Sequence, residues 1–181
     1  MKMIKNVGVF CAASESIDNL FVEQARLVGS LIGKRGLNLV YGGAAAGLME
    51  ATAAAAKDCG AYIVGVFPQI LIERNRVSTR IDERVVTKNL SDRKDYILSM
   101  SDVLIALPGG VGTLDEIFHI AAAATIGYHQ KRVVFYNVNG FWNKVLEFLR
   151  VAKEQGFIRA DFDALFVVVD NIQQLEDFLD K

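Results

Sequence analysis

The sequence predicts a doubly wound, Rossmann-like α/β fold, in which helices cover both faces of a parallel sheet. Short runs rich in β-branched residues alternate along the chain with longer segments of helical periodicity, which is the pattern of successive βαβ units. The strand-like runs are apolar at almost every position, as expected of strands covered on both faces. No Pro/Ser-rich linker, low-complexity tract or block of charge interrupts this pattern, so residues 1–181 are predicted to form a single domain.

Seven runs are predicted to be strands, and the run at Arg84–Thr87 carries the weakest signal. The other six are Val7–Cys11, Leu37–Tyr41, Tyr62–Phe67, Val103–Leu107, Val133–Val138 and Phe166–Val169. Apolar residues recur at helical spacing from Ile17 to Ile32, and Lys34-Arg35-Gly36 then supplies a basic last turn and a C′ glycine. The same pattern predicts further helices at Leu48–Cys59, Ser91–Ser99, Thr113–Ile126, Phe141–Glu154 and Ile172–Leu179.

Charge and composition exclude several classes of protein. The formal net charge of -1 provides no field that would attract a polyanion, so neither nucleic acid nor an anionic membrane surface is an expected partner. No segment reaches the ~20 apolar residues of a membrane-spanning helix. The first residues lead into a strand pattern without the features of a signal peptide, and Cys11 and Cys59 do not suggest a disulfide framework. A cytoplasmic location is therefore expected.

A glycine-rich segment, Pro108-Gly109-Gly110-Val111-Gly112-Thr113, follows a predicted strand and opens a helix. Backbone N–H groups and the helix dipole at such a position favour an anion. A tight turn with positive φ is the alternative explanation for a glycine pair. Three glycines in four positions, followed by a threonine, favour phosphate binding by Gly109, Gly110, Gly112 and Thr113.

Two familiar nucleotide-binding motifs are excluded. Gly42 and Gly47 have the spacing of a P-loop, but Leu48 and Met49 occupy the positions where lysine and serine or threonine are needed. The segment that begins at Gly110 opens like a dinucleotide fingerprint, yet Asp115 occupies the position of its third glycine. Neither an ATPase nor an NAD-binding protein is therefore expected.

Glu116 and Arg93 are the candidate chemical groups near the glycine loop. Glu116 has two interpretations, because Thr113 and Glu116 also have the spacing of a capping box. Arg93 and Lys94 begin a predicted helix capped by Ser91 or Asp92. The start of a helix that precedes a parallel strand lies near the edge where that strand ends, so we expect Arg93 to meet the Pro108 loop. His119 and His129 lack metal-ligand spacing, so no metal site is expected.

The complete motif from Pro108 to Glu116, P-G-G-x-G-T-x-x-E, resembles the defining motif of the LOG (Lonely Guy) family of cytokinin-activating phosphoribohydrolases, which are often labelled lysine decarboxylases. The resemblance extends over nearly the whole chain, including Leu39-Val40-Tyr41-Gly42-Gly43, Gly47-Leu48-Met49, Arg93-Lys94, Ile126-Gly127-Tyr128-His129 and Gly156-Phe157-Ile158. It implies hydrolysis of the N-glycosidic bond of a nucleoside 5′-monophosphate, either a cytokinin riboside 5′-monophosphate or an AMP-like nucleotide, to a free base and ribose 5-phosphate. It implies no cofactor.

The resemblance also implies roles for individual residues. Arg93 and Glu116 correspond to the family's catalytic pair, and Gly109, Gly110, Gly112 and Thr113 correspond to its phosphate site. Further candidates beside the substrate are Ser14, Glu73, Lys94, Gly42 and Gly43. Departures from the family pattern lie at Ala12-Ala13, Ala44, Glu50 and Leu90-Ser91-Asp92, so the sequence leaves the preferred base open.

Three further expectations concern activity and assembly. A decarboxylase has little physical support, because pyridoxal phosphate chemistry needs a Schiff-base lysine and a second lobe of cofactor size. The alternative from another class is a non-catalytic carrier of a nucleotide or of the molybdenum cofactor that shares the sheet and the phosphate loop. The Ala121–Ala124 run in the Thr113–Gly127 segment allows close helix packing, and together with the resemblance it predicts a homodimer.

Overall fold

The computed structural model describes residues 4–158 and 161–180. These residues contain a seven-stranded sheet with the order β4-β3-β2-β1-β5-β6-β7, and every neighbouring pair is parallel. The strands are β1 Asn6–Phe10, β2 Asn38–Tyr41, β3 Ile63–Pro68, β4 Glu83–Thr87, β5 Val103–Ala106, β6 Val133–Tyr136 and β7 Phe166–Val169. All seven predicted strands are confirmed, including the weak one at β4.

Helices connect the strands. They are α1 Asn19–Lys34, α2 Gly47–Asp58, α3 Gln69–Glu73, α4 Leu90–Met100, α5 Val111–Thr125, α6 Asn143–Glu154, α7 Phe162–Leu165 and α8 Ile172–Leu179, with a short 3-10 helix at Val138–Gly140 before α6. The six predicted helices are confirmed. The sequence did not predict α3 and α7, because elements this short carry no helical period.

Two predicted helix starts were wrong. The N-cap of α4 is Asn89, whose side chain accepts a hydrogen bond of 2.9 Å from the Asp92 backbone N–H, so neither Ser91 nor Asp92 is the cap. The N-cap of α5 is Gly110, and the helix begins at Val111 rather than at Thr113. In both cases the polar residue chosen from the sequence lies inside the first turn.

The sheet separates two hydrophobic cores. Val7 and Val9 of β1 pack with apolar residues of α1, α2 and α8 on one face. Phe10 of the same strand packs with apolar residues of α4, α5 and α6 on the other. The predicted doubly wound arrangement is therefore confirmed. No helix among residues 4–158 and 161–180 is long and apolar enough to cross a membrane.

The strand order fixes where a ligand can bind. The chain moves from β1 to β2, β3 and β4 on one side, and then returns to place β5 on the other side of β1. Open α/β sheets bind ligands at such a switch point, beyond the carboxyl ends of the two strands. Here the loops after β1 and β5 are joined by a 3.1 Å hydrogen bond from the Ala12 N–H to the Pro108 carbonyl.

Candidate functional site

A cavity of about 300 Å³ lies at the switch point between β1 and β5. Its lining comes from the loop after β1, the start of α2, α4 and the first turns of α5. The lining residues are Cys11, Ala12, Ala13, Ser14, Met49, Arg93, Gly110, Gly112, Thr113 and Glu116. The structure thus brings together the glycine loop, Ser14 and the Arg93 and Glu116 side chains, as the sequence predicted.

Arg93 and Glu116 form a buried ion pair in this cavity. The Arg93 Nη1 atom lies 2.7 Å from Glu116 Oε1, and the two side chains are 11% and 3% exposed. Arg93 Nε also donates a 3.1 Å hydrogen bond to the Val66 carbonyl of β3. The guanidinium therefore extends from α4 over the ends of the strands to reach α5.

The Glu116 carboxyl titrates in an unusual range. Burial raises its pKa from 4.5 to about 7, against the attraction of Arg93, which lowers it. Although Arg93 Nη1 is close to Glu116 Oε1, this buried oxygen has no well-aligned hydrogen-bond donor within the described part of the chain. A carboxylate with these properties can exchange a proton near neutral pH and accept a hydrogen bond from a ligand.

The capping-box explanation of Glu116 is wrong. Because α5 begins at Val111 and is capped by Gly110, Glu116 lies beyond the first turn of its helix. Its carboxylate contacts Arg93 rather than the backbone at Thr113.

Gly42 allows the Arg93 guanidinium to lie against the end of β2. A Cβ atom at position 42 would lie 2.1 Å from Arg93 Nη2. Gly43 has a different role, because its φ is +74° and a Cβ there would lie 2.4 Å from Phe67 Cδ1. Gly42 also lines a neighbouring groove, whereas Gly43 is constrained by its positive φ and by the Phe67 side chain.

The glycine loop presents open backbone to the cavity. A Cβ atom at Gly110 or Gly112 would have no atom within 4 Å, so no neighbouring group within the described part of the chain requires glycine there. At Gly109, by contrast, a Cβ would lie 2.1 Å from Thr113 Oγ1, so this residue packs against the buried threonine. Close approach of a ligand to the backbone is a physical reason for glycine at the two open positions.

The start of α2 differs from the start of α5, although the two sequences resemble each other. The Leu48 and Met49 N–H groups at the start of α2 donate to the Ala12 carbonyl, at 3.0 and 3.3 Å. The first N–H groups of a helix have no acceptor within the helix, and at α2 the loop after β1 provides one. The start of α5, with Gly112 and Thr113 in the cavity lining, is therefore the better anion site.

An apolar groove of about 700 Å³ adjoins the cavity. The two share Ala13, Met49 and Arg93. The remaining groove residues are Gly42, Ala44, Pro68, Ile70, Leu71, Lys88, Asn89, Leu90 and Ser91. The groove can accept a flat or apolar group attached to a ligand held in the cavity.

Several site residues were not singled out from the sequence. Cys11 lines the cavity, and burial raises the pKa of its thiol well above the usual range, so it is a neutral wall of the site. Met49 joins the cavity to the groove, and Ile70 and Leu71 of α3 line the groove. Positions just after β1 and at the start of α2 could have been found, because parallel strands end at one edge of the sheet.

Five predicted candidates lie outside the cavity lining, namely Gly42, Gly43, Gly109, Lys94 and Glu73. Lys94 is buried, and its Nζ lies 2.8 and 2.9 Å from the two carboxylate oxygens of Asp115. Glu73 is exposed at the end of α3. The part of the chain that the structure describes contains no group of three His, Cys, Asp or Glu side chains that could hold a metal ion.

The chain is similar in sequence to several known proteins. A family model described as possible lysine decarboxylase matches residues 49–179. A cytokinin riboside 5′-monophosphate phosphoribohydrolase of Mycobacterium tuberculosis is 38% identical over 167 residues, covering 92% of this chain and 89% of the relative. A protein of Arabidopsis thaliana with the same name is 34% identical over 171 residues, covering 94% of this chain and 75% of the relative.

Solved structures share the fold at lower sequence identity. The molybdenum cofactor binding protein of Rippkaea orientalis superimposes with a TM-score of 0.74 at 22% identity, covering 99% of this chain and 98% of the other. The molybdenum cofactor carrier protein of Chlamydomonas reinhardtii gives a TM-score of 0.72 at 24% identity, covering 98% and 99%. At this level of identity the likeness shows the fold alone.

Proposed function

We propose that this chain, which belongs to the LOG family of phosphoribohydrolases, hydrolyses the N-glycosidic bond of a nucleoside 5′-monophosphate to a free base and ribose 5-phosphate. The observation that carries the proposal is the buried ion pair of Arg93 and Glu116, 2.7 Å apart, beside the open glycines at the start of α5. The relatives named as phosphoribohydrolases support the same activity.

The 5′-phosphate binds at the start of α5 in this proposal. Gly110, Gly112 and Thr113 line the cavity there, and Gly109 packs behind the threonine. Backbone N–H groups and the positive end of the helix dipole hold the phosphate. Ser14 lines the same cavity and adds a hydroxyl. Because this interaction is remote from the reacting bond, its binding energy positions the ribose beside Glu116.

The proposed chemistry uses the two charged side chains in different roles. The bond between ribose C1′ and the base nitrogen breaks, and its electron pair leaves with the base. The ionised Glu116 stabilises the positive charge that develops on the ribose and orients a water molecule. The water oxygen bonds to C1′ and its proton is transferred, by way of Glu116, to the departing base. Arg93 fixes the carboxylate and contacts the nucleotide from the groove side.

The neighbouring groove accepts the base. Met49, Ile70, Leu71 and Leu90 make its lining largely apolar. We therefore expect an adenine with an apolar N6 substituent, as in a cytokinin nucleotide, to be turned over more efficiently than AMP itself. Lys88, Asn89 and Ser91 supply polar groups around the same groove.

Product chromatography on a panel of nucleotides tests this function. The panel contains AMP, N6-isopentenyl-AMP, GMP, CMP and the matching nucleosides without phosphate. We expect free base from the N6-substituted monophosphate and little from any nucleoside. Comparable turnover of adenosine and AMP would refute the phosphate requirement. Saturable binding with no base released would refute the enzyme and favour the carrier alternative.

We also propose that the chain forms a homodimer through α5. The exposed apolar residues Val111, Phe118 and Ile126 lie along or at the end of this helix, and Tyr128 follows it. Light scattering at micromolar concentration should give twice the chain mass, and Ile126→Glu should shift the mass toward that of one chain. A monomeric mass for the unaltered protein would refute this. The cytoplasmic location stays a prediction.

A further inference from the structure

Three consecutive residues of α4 pair with α5. Arg93 pairs with Glu116 at 2.7 Å, Lys94 with Asp115 at 2.8 Å, and Asp95 with His119 at 2.8 Å. The first pair lies in the cavity. The second lies outside the cavity lining, yet the Lys94 side chain is only 10% exposed.

We propose that Lys94 and Asp115 form a positioning pair, which fixes α4 against α5 in the register that holds Arg93 to Glu116. The proposal rests on the phosphoribohydrolase activity proposed above. It assigns neither residue a contact with the substrate.

The position of the Lys94–Asp115 pair is coupled to the position of the Arg93–Glu116 pair. Lys94 is the immediate neighbour of Arg93 on α4, and Asp115 is the immediate neighbour of Glu116 on α5. A shift of one helix along the other that separates Lys94 Nζ from both carboxylate oxygens must therefore also move Arg93 relative to Glu116. Displacing a reacting group by about 1 Å can lower a rate by about 10²-fold.

Because Lys94 is buried, breaking its ion pair with Asp115 is energetically costly. Lys94 and Ile97 are the two residues of α4 that are buried, so the lysine stem is part of the contact between this helix and the rest of the protein. A largely buried ammonium without a partner loses its hydration and gains nothing in return. Asp115 compensates for the lost hydration, because both of its carboxylate oxygens accept hydrogen bonds from Lys94 Nζ, at 2.8 and 2.9 Å.

The same pair acts on Glu116 through charge. Arg93 and Lys94 on α4 lower the pKa of Glu116, Asp115 on its own helix raises it, and the neutral Cys11 thiol faces it from the end of β1. Lys94 and Asp115 therefore offset each other. Removing the lysine should raise the pKa of Glu116, and removing the aspartate should lower it.

The experiment compares Lys94→Met, Asp115→Asn, the double variant carrying both changes, and the conservative Asp115→Glu. We expect each single neutralisation to lower kcat by about tenfold with KM changed by less than about threefold. The pH midpoint of activity should move upward in Lys94→Met and downward in Asp115→Asn, and it should return toward the original in the double variant. Asp115→Glu, which keeps the charge, should recover most of kcat.

The matched control is the exposed pair of Lys144 and Glu147 on α6, 3.0 Å apart. Lys144→Met and Glu147→Gln should leave the pH midpoint unmoved. Folded single variants with unchanged kcat and an unmoved midpoint would overturn the proposal, as would equal shifts in the control pair.

A second readout separates this proposal from the proposed function. NMR titration of the 13C-labelled Glu116 carboxyl, assigned with Glu116→Gln, reports its pKa without any substrate. Opposite shifts in the two single variants would support the pair even if no nucleotide were hydrolysed. An unmoved Glu116 titration in both folded variants would overturn it.

Discussion

Replacing Glu116 with glutamine should change how the stability of the protein depends on pH. Burial raises the pKa of this carboxyl from 4.5 to about 7 in the folded state. At about 1.36 kcal/mol for each tenfold change in proton affinity, that rise corresponds to about 3 kcal/mol. This is a large fraction of the stability of a typical domain.

The direction follows from proton linkage. Because the folded state binds this proton more tightly than the unfolded chain, the contribution is fully present below about pH 4.5 and is lost as the pH rises through about 7. Glutamine does not titrate. Between about pH 4 and about pH 8, the original protein should therefore lose about 3 kcal/mol more of its free energy of unfolding than Glu116→Gln does.

Urea unfolding at several pH values measures this difference. The variant also loses the attraction to Arg93, but that attraction is already included in the raised pKa of Glu116, so only the pH-independent cost of the substitution drops out of the comparison. Glu147→Gln is the control, because Lys144 lowers the pKa of the exposed Glu147 and any effect should have the opposite sign. Equal pH dependence in Glu116→Gln and the original protein, or a steeper loss in the variant, would refute the assigned environment of Glu116.

Three glycine substitutions give further predictions. Gly42→Ala places a Cβ 2.1 Å from Arg93 Nη2. The kcat should therefore fall by about 10²-fold, while circular dichroism and Tm stay close to the original. Normal turnover would contradict the placement of the guanidinium. Gly112→Ala adds a methyl group with no atom within 4 Å. The KM for the monophosphate should therefore rise by about tenfold without loss of Tm. An unchanged KM would show that this residue is not part of the phosphate site. Gly29→Ala places a Cβ 2.2 Å from the Thr52 carbonyl of α2. The substitution should lower the free energy of unfolding, measured with urea, by about 1–3 kcal/mol. An unchanged free energy of unfolding would contradict the tight packing of α1 on α2.

The strands could be predicted because parallel strands covered on both faces are continuous apolar runs bounded by turns. Even the weak pattern at β4 was sufficient to predict a strand there. The helix starts were less predictable, since the choice among neighbouring polar residues depends on backbone geometry. Asn89, rather than Ser91 or Asp92, has the extended backbone and the side-chain bond of an N-cap.

The site was predictable where topology decides and unpredictable where side-chain packing decides. Arg93 contacts Glu116 because α4 and α5 both begin at the edge of the sheet where the parallel strands end. The sequence alone could not show that Gly42 makes room for the guanidinium or that Lys94 is paired with Asp115. Both depend on contacts between segments that are distant in the chain.

The most direct test of the central claim follows free base and ribose 5-phosphate together, in buffer without inorganic phosphate. With N6-isopentenyl-AMP as substrate, the protein should release the two products in equal amounts, and both Arg93→Ala and Glu116→Gln should slow the release by about 10²-fold or more while remaining folded. Nucleotide binding without either product, or undiminished release by both folded variants, would contradict the account.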